Sequence, residues 1–577
     1  MVAERWFNRI PMTIAATVML LWLSLAIYHI GPSVTAVLLV IPASILILWV
    51  KVVPYRAKSG TRSWTAIGLA AAAAIGGSFL VTVLWNAHWI VPVAWVALGL
   101  SGALIASPRP TRSDRARWAI VFVVAVAAVQ GQAAALNWAL GPAPLGSDAE
   151  NYLIWAEALR LSATGTALDP HQWRLYGLIP HDLHWDPAGP LSYSAAIGTR
   201  HTLYSAIIAK LTSLGADVSD VLLIQSGLIA FGALAWLRLL RALSGSHKLA
   251  ACAVALFLVD SHAATAASNL WRESLVVALL PCLFLILYRV ATRPFSMAAI
   301  VLAAVLGGLL SITRYHLLVI ALVAWSVSLA TVRPRRAAWR QAVHMLIATA
   351  AIAIAAVVAV APSAVVQTTA DFGHILTGPL EHSLAVALGS GTDEAASGAD
   401  ATPGADAAVA QWATERRDGL AVAVLNALSR TFFNPNPIWI LKGDIPATAE
   451  EGYLYAGMIF VIVLTPFAAI GFTRVMTEKR LRSARVLVAL FAAVGIGYCI
   501  VFGGFFGRQR VQLLPIFYFL ACLGVAGAAS VLRARLSSMI HWVETTRSLV
   551  RLPWRALPTR DTGSAENRRT GSFQHDQ

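Results

Sequence analysis

The feature that most constrains this chain is the recurrence of apolar runs of ~17–23 residues, each long enough as a helix to cross a hydrocarbon layer of ~30 Å. With 58% of its 577 residues hydrophobic and only 12% charged, the chain carries more apolar surface than a water-soluble core encloses. The expected fold is an all-α polytopic membrane protein with about fourteen transmembrane helices. The first five spans are Ile10 to Ile30, Val34 to Val53, Thr65 to Trp85, His88 to Ala106 and Trp118 to Trp138. After a long polar interruption come Val221 to Leu240, Leu249 to Ser268, Ser274 to Tyr288, Phe295 to Thr313, His316 to Val332 and Ala342 to Val366. A second interruption precedes Tyr453 to Thr473, Val486 to Phe506 and Val511 to Val531.

The formal net charge of +16 is read from its placement. Lys51, Arg56, Lys58 and Arg62 share one short connection, Arg109, Arg112, Arg115 and Arg117 a second, and Arg333, Arg335, Arg336 and Arg340 a third. Alternation from a cytoplasmic amino terminus puts all three inside, together with Arg474 to Arg485 and the stretch from Arg533 onward, as the positive-inside bias requires. No basic stretch is interleaved with base-stacking aromatics, so nucleic acid is not an expected partner. The expected location is the plasma (inner) membrane, multi-pass, with both termini cytoplasmic. The four cysteines fall inside apolar runs without metal-ligand or CxxC spacing and read as small buried residues.

The same alternation puts two long loops, 139–220 and 367–451, on the outer face, with short turns at Arg272–Glu273, Arg314 and Arg508–Arg510. Gly389 to Ala410 in the second loop is low in complexity. Residues 1–117 then hold four additional amino-terminal helices, 118–531 the main transmembrane region, and 532–577 a cytoplasmic tail. That tail is expected to start as a separate amphipathic helix, Arg533 to Arg555, on the anionic leaflet and to become disordered from Pro558.

The segment Gly146-Ser-Asp-Ala-Glu-Asn-Tyr-Leu-Ile-Trp-Ala-Glu-Ala-Leu-Arg160 follows the fifth span on the outer face. Helical spacing puts Asp148, Tyr152, Trp155 and Leu159 on one stripe with a carboxylate at its end. That carboxylate either serves chemistry, with Glu150 as its second, or favours the helix amino terminus. Pro180-His-Asp-Leu-His-Trp-Asp-Pro187 gathers His181, Asp182, His184 and Asp186, nitrogen and oxygen ligands suited to a divalent metal ion. Acceptor contact and an ordinary polar loop are the other readings. Asp260 and His262 lie inside the span Leu249 to Ser268, where an intramembrane carboxylate faces a cavity or a partner.

The pattern Asp148-Ala149, Tyr152, Ala156, Leu159 resembles the D-x-x-x-Y-x-x-x-A-x-x-L signature of GT-C membrane glycosyltransferases, in particular the bacterial protein-mannosyltransferase and aminoarabinose-transferase-like group. Arg200, Leu203 and Tyr204 are similar to that group's R-x-P-x-Y segment, without its proline. Asn269-Leu-Trp-Arg-Glu-Ser274 resembles its Arg/Glu-bearing turn, and Gly507-Arg-Gln-Arg-Val-Gln-Leu-Leu-Pro515 its R-x-R-x-x-x-x-P element. The likeness covers 118–531, and the four spans ahead of it are a departure.

The resemblance implies an inverting transfer from a polyprenyl-phosphate-linked sugar to an envelope glycan, lipid or protein on the outer face. Asp148, then Glu150, is the implied general base on the acceptor hydroxyl. Arg272, Arg314, Arg508, Arg510 and Arg200 are the implied cations for the donor phosphate, although interfacial snorkelling is the plain reading of each. Tyr152 and Glu273 fall to the acceptor or to a second acidic site. The alternatives are a polymerase or ligase of lipid-linked oligosaccharides and a non-enzymatic transporter, for which Asp260 is the foothold.

Overall fold

The computed structural model describes residues 87–106, 112–140, 152–153, 156, 202–292, 296–332, 343–344, 346–355, 449–502 and 510–550. Every regular element among them is a helix. The spans Ile10 to Ile30, Val34 to Val53 and Thr65 to Trp85, residues 367–448 of the second long loop and the tail from Pro558 lie outside the described residues, as does most of the loop 139–220.

The helices are α1 (Ile90–Ala106), α2 (Arg112–Leu140), α3 (Thr202–Ser213), α4 (Val218–Ser244), α5 (His247–Leu258), α6 (Ser261–Ser268), α7 (Glu273–Thr292), α8 (Met297–Val332), α9 (Ala449–Thr477), α10 (Arg485–Phe502) and α11 (Leu514–Val550). Among the described residues three stretches, Val218–Ser244, Glu273–Thr292 and Leu514–Trp542, are long and apolar enough to cross a membrane, or five if each of two bent pairs forms one span. This is the build of a helical membrane protein. Large apolar side chains on α1 face outward, among them Val93, Val96, Leu100 and Leu104, at the spacing of one lipid-facing stripe.

Helix α4 is the central post, packing on α1, α2, α5 and α7. Its start is fixed by a reciprocal capping box, in which Asp217 accepts from the Asp220 N–H at 2.8 Å and Asp220 accepts from the Asp217 N–H at 3.0 Å. Asp220 also accepts from the His88 N–H at 2.8 Å, tying the start of α1 to the same point. Gly245, at φ 71°, ends α4 in the left-handed conformation and lets the chain reverse into α5.

Close crossings of small residues hold the bundle together, as in lipid, where little hydrophobic force separates helix from tail. A Cβ built on Gly232 of α4 would stand 2.5 Å from the Val277 carbonyl oxygen of α7. The crossing of α9 with α11 is closer: a Cβ on Gly471 would meet the Leu520 oxygen at 1.9 Å, and one on Gly524 the Phe467 oxygen at 1.8 Å.

Four expectations are corrected. The chain does not turn at Arg314, because α8 runs unbroken from Met297 to Val332. Arg314, Tyr315 and His316 interrupt the hydropathy, yet none of them removes a backbone donor or requires a positive φ, so the helix continues through them. The expected span Leu249 to Ser268 is instead two helices bent by 52°, because the Asp260 side chain caps α6. Part of the first outer loop is helix α3. Last, no separate amphipathic helix starts at Arg533: α11 continues to Val550, a rod of ~55 Å that outruns a bilayer core.

Between α9 and α10 the chain bends by 109° through a short 3₁₀ segment, Lys479–Ala484. Arg485 donates to the carbonyls of Val475 at 3.2 Å and Met476 at 2.6 Å, satisfying the exposed end of α9. Glu478 joins Arg474, at 2.5 Å, to Arg480, at 2.6 Å. Partial burial raises its carboxyl, but the hydrogen bonds and charges of the two arginines outweigh that and hold it below the ordinary value. A depressed carboxyl stabilises the fold above its unfolded pKa of ~4.5 and loses that contribution as pH falls through the lower folded value. Unmodified protein should therefore show a small stability advantage over Glu478→Gln in thermal unfolding at pH 7 and lose it progressively as the pH is lowered through the depressed folded value.

Candidate functional site

Two buried polar clusters lie at opposite ends of α6, an eight-residue helix that spans ~12 Å. The first is built round Gln225, a polar residue on an apolar helix. Its Oε1 accepts from the buried Tyr204 hydroxyl of α3 and from the Ser274 hydroxyl of α7 at 3.4 Å. Its amide donates to the Asn269 carbonyl at 2.8 Å and to that of Ala266 at 3.4 Å. One side chain thus ties α3 and α4 to the turn joining α6 and α7, and a buried amide is retained only when its donors and acceptors are matched in this way.

On this frame rest three residues expected from the sequence. Tyr152 is buried and meets the Tyr204 ring edge-on, with centroids 4.9 Å apart and planes at 86°. The Arg272 guanidinium carbon lies 6.0 Å from the Tyr152 ring centroid, at the outer limit of a cation–π contact. Glu273 is 3% exposed and Arg272 8%. Burial pushes the Tyr204 phenol well above its ordinary value, and Tyr152 and the Glu273 carboxylate add to the effect. Tyr204 therefore stays a hydrogen-bond donor, the role its contact with Gln225 requires.

The second cluster sits where α5 gives way to α6. Asp260 accepts from the His262 backbone N–H at 2.6 Å, capping α6, and its same oxygen lies 2.7 Å from His262 Nδ1. Its other oxygen accepts from the Tyr518 hydroxyl of α11. Gln132 of α2 donates to the Leu258 carbonyl at 2.7 Å, satisfying an acceptor that the break exposes. Asp260 and His262 are at most 1% exposed. Arg510, just ahead of α11, is also buried; burial lowers its guanidinium to about 9 while the Asp260 carboxylate pulls the other way. It remains a cation at neutral pH.

The structure thus brings Tyr152, Arg272 and Glu273 together at one end of α6 and sets Arg510 beside Asp260 at the other. Arg314 belongs to α8, and its side chain lies outside the described residues. Asp148, Glu150, Arg200, Arg508, His181, Asp182, His184 and Asp186 also lie outside them. Among the described residues no three metal-ligating side chains are grouped. The sequence reading missed Gln132, Gln225, Ser274 and Tyr518 as members of these clusters. The glutamines were detectable, because an amide inside an apolar run needs a buried partner. A comparison with protein-family models and with curated proteins finds no match.

Proposed function

We propose that this protein is a multi-span GT-C-type membrane glycosyltransferase, which moves a sugar from a polyprenyl-phosphate donor to an envelope glycan, lipid or protein on the outer face of the plasma membrane. The observation that carries this reading is convergence. Tyr152 of the Asp148 segment, Tyr204 of the Arg200 segment and the Arg272–Glu273 turn are far apart in sequence, yet they form one buried cluster. Three of the four segments on which the resemblance rests thus meet at one place.

In the proposed reaction Asp148 takes the proton of the acceptor hydroxyl as its oxygen bonds to the anomeric carbon. The bond from that carbon to the phosphate oxygen breaks, and the electron pair leaves with the polyprenyl phosphate. Arg272 stabilises the charge that develops on the phosphate. Asp148 precedes Tyr152 by one helical turn in sequence, and Tyr152 is the residue beside Arg272. In membranes supplied with radiolabelled polyprenyl-phosphate sugars, Arg272→Gln should lower transfer by about a hundredfold, the loss typical of a missing charge-stabilising donor. Arg272→Lys should keep more of the activity, because it keeps the charge. Equal loss in both variants would assign Arg272 to packing.

A carrier is the second reading, favoured by the buried Asp260, His262 and Tyr518 at a helix break. Solute flux that depends on Asp260, without sugar transfer, would establish it.

A further inference from the structure

We infer that Gln225 is the positioning residue of Arg272: its amide holds the backbone on either side of Arg272 and, through Tyr204, the ring against which the guanidinium lies. The amide nitrogen donates to the Asn269 carbonyl at 2.8 Å, ahead of Arg272 in the chain. That carbonyl also accepts from the Trp271 N–H at 2.7 Å, which closes a tight turn immediately before Arg272. Beyond Arg272, the Ser274 hydroxyl is shared between the Gln225 oxygen at 3.4 Å and the Trp271 carbonyl at 2.9 Å, a three-centre bond. The same Gln225 oxygen accepts from the Tyr204 hydroxyl. The Tyr204 ring meets Tyr152 edge-on, with centroids 4.9 Å apart, and the Arg272 guanidinium carbon lies 6.0 Å from the Tyr152 centroid. Both the root and the head of the Arg272 side chain are therefore referred to one amide.

Packing requires neither end of this amide, since an apolar side chain of the same length fills the same space. A donor aimed at the turn and an acceptor aimed at Tyr204 require both ends, and the amide supplies both without a charge. Gln225 is 1% exposed, so it touches no substrate and acts through Arg272. A guanidinium on a long flexible stem stabilises a developing phosphate charge only when it is held where that charge appears. That Arg272 serves a lipid-linked phosphate rests on the proposed transferase reading; that Gln225 places it does not.

The test uses the full chain in lipid nanodiscs with ¹⁵N-labelled arginine, the Arg272 Nε signal being identified by its loss in Arg272→Lys. Gln225→Met keeps the length of the side chain and removes both ends of the amide. Gln225→Glu is the second variant, which keeps the acceptor for Tyr204 and replaces the donor facing Asn269, and it carries the comparison if Gln225→Met does not fold. The expected result is a shifted or broadened Arg272 signal in each folded variant. Transfer from radiolabelled polyprenyl-phosphate sugars, normalised to folded protein, should fall about tenfold or more in kcat with the donor KM little changed, the pattern of a misplaced transition-state group. Placed on Arg272→Gln, the same change should lower transfer no further, because the group that it positions is already gone. An Arg272 signal that neither variant moves overturns the inference, as does an equal fall in transfer with and without Arg272. Transfer by the unmodified protein with an unmoved Arg272 signal leaves the transferase reading and removes the role of Gln225. A moved signal without transfer by the unmodified protein removes that reading and leaves Gln225 as the residue that places Arg272.

Discussion

Gly471→Leu is expected to abolish the folded protein in detergent, and Gly524→Leu to do the same. At both positions a single added carbon would lie within 2 Å of a carbonyl oxygen of the facing helix, 1.9 Å for Gly471 and 1.8 Å for Gly524. A backbone carbonyl cannot rotate aside as a side-chain tip does, so α9 and α11 would have to separate along their whole crossing. Separation would also pull Arg474 of α9 from the Leu523 carbonyl of α11, now 2.8 Å away. Overpacking of a tight core costs about 1–3 kcal/mol, and loss of the closest glycine crossing among the described residues should reach or pass the upper end. The control is Gly495→Ala in α10, where an added Cβ meets nothing within 4 Å. That change should leave stability equal or raise it by about 0.5–1 kcal/mol, because alanine is the better helix former. Thermal unfolding followed by size-exclusion chromatography compares the three; a Gly471→Leu protein as stable as the control would contradict this account of the crossing.

Asp260→Ala should cost about 3–5 kcal/mol, the range for removing one partner of a buried charge pair. Asp260 serves three elements at once: it caps α6, accepts from Tyr518 of α11 and opposes the burial of Arg510. Its removal leaves the Arg510 guanidinium without that carboxylate in a low-dielectric site. Tyr518→Phe, which removes one hydrogen bond and no charge, should cost only about 1 kcal/mol. The coupling is measurable: Asp260→Asn combined with Arg510→Gln should destabilise by less than the sum of the two single changes, since the second removes the charge that the first exposed. Strict additivity of the two would mean that Asp260 and Arg510 do not interact.

The sequence reading succeeded where hydropathy alone decides. The run Val221 to Leu240 appears as Val218–Ser244, and Ser274 to Tyr288 as Glu273–Thr292, because a long apolar segment in lipid has almost no alternative to a helix. It failed where backbone geometry decides. Arg314 marks a dip in hydropathy without a helix-breaking residue, whereas the break after Leu258 occurs inside a nearly continuous apolar run. Asp260 caps the helix beyond that break through the His262 N–H, and its other oxygen accepts from Tyr518, 258 positions further along the chain, a contact that no local pattern encodes. At the candidate site, Tyr152, Arg272 and Glu273 were legible as members of short motifs. Gln225, which holds the α3, α4 and α7 side of that cluster in place, belongs to no motif, and its importance comes from the four hydrogen bonds it makes after folding.

The most direct test of the proposed function compares the unmodified protein with Asp148→Asn at matched expression in membranes, using radiolabelled polyprenyl-phosphate sugars as donors. The account predicts transfer by the unmodified protein and its loss in the variant, because the amide cannot take the acceptor's proton. Undiminished transfer by Asp148→Asn would remove Asp148 as the base, and no transfer by the unmodified protein from any donor of the set would contradict the glycosyltransferase reading itself.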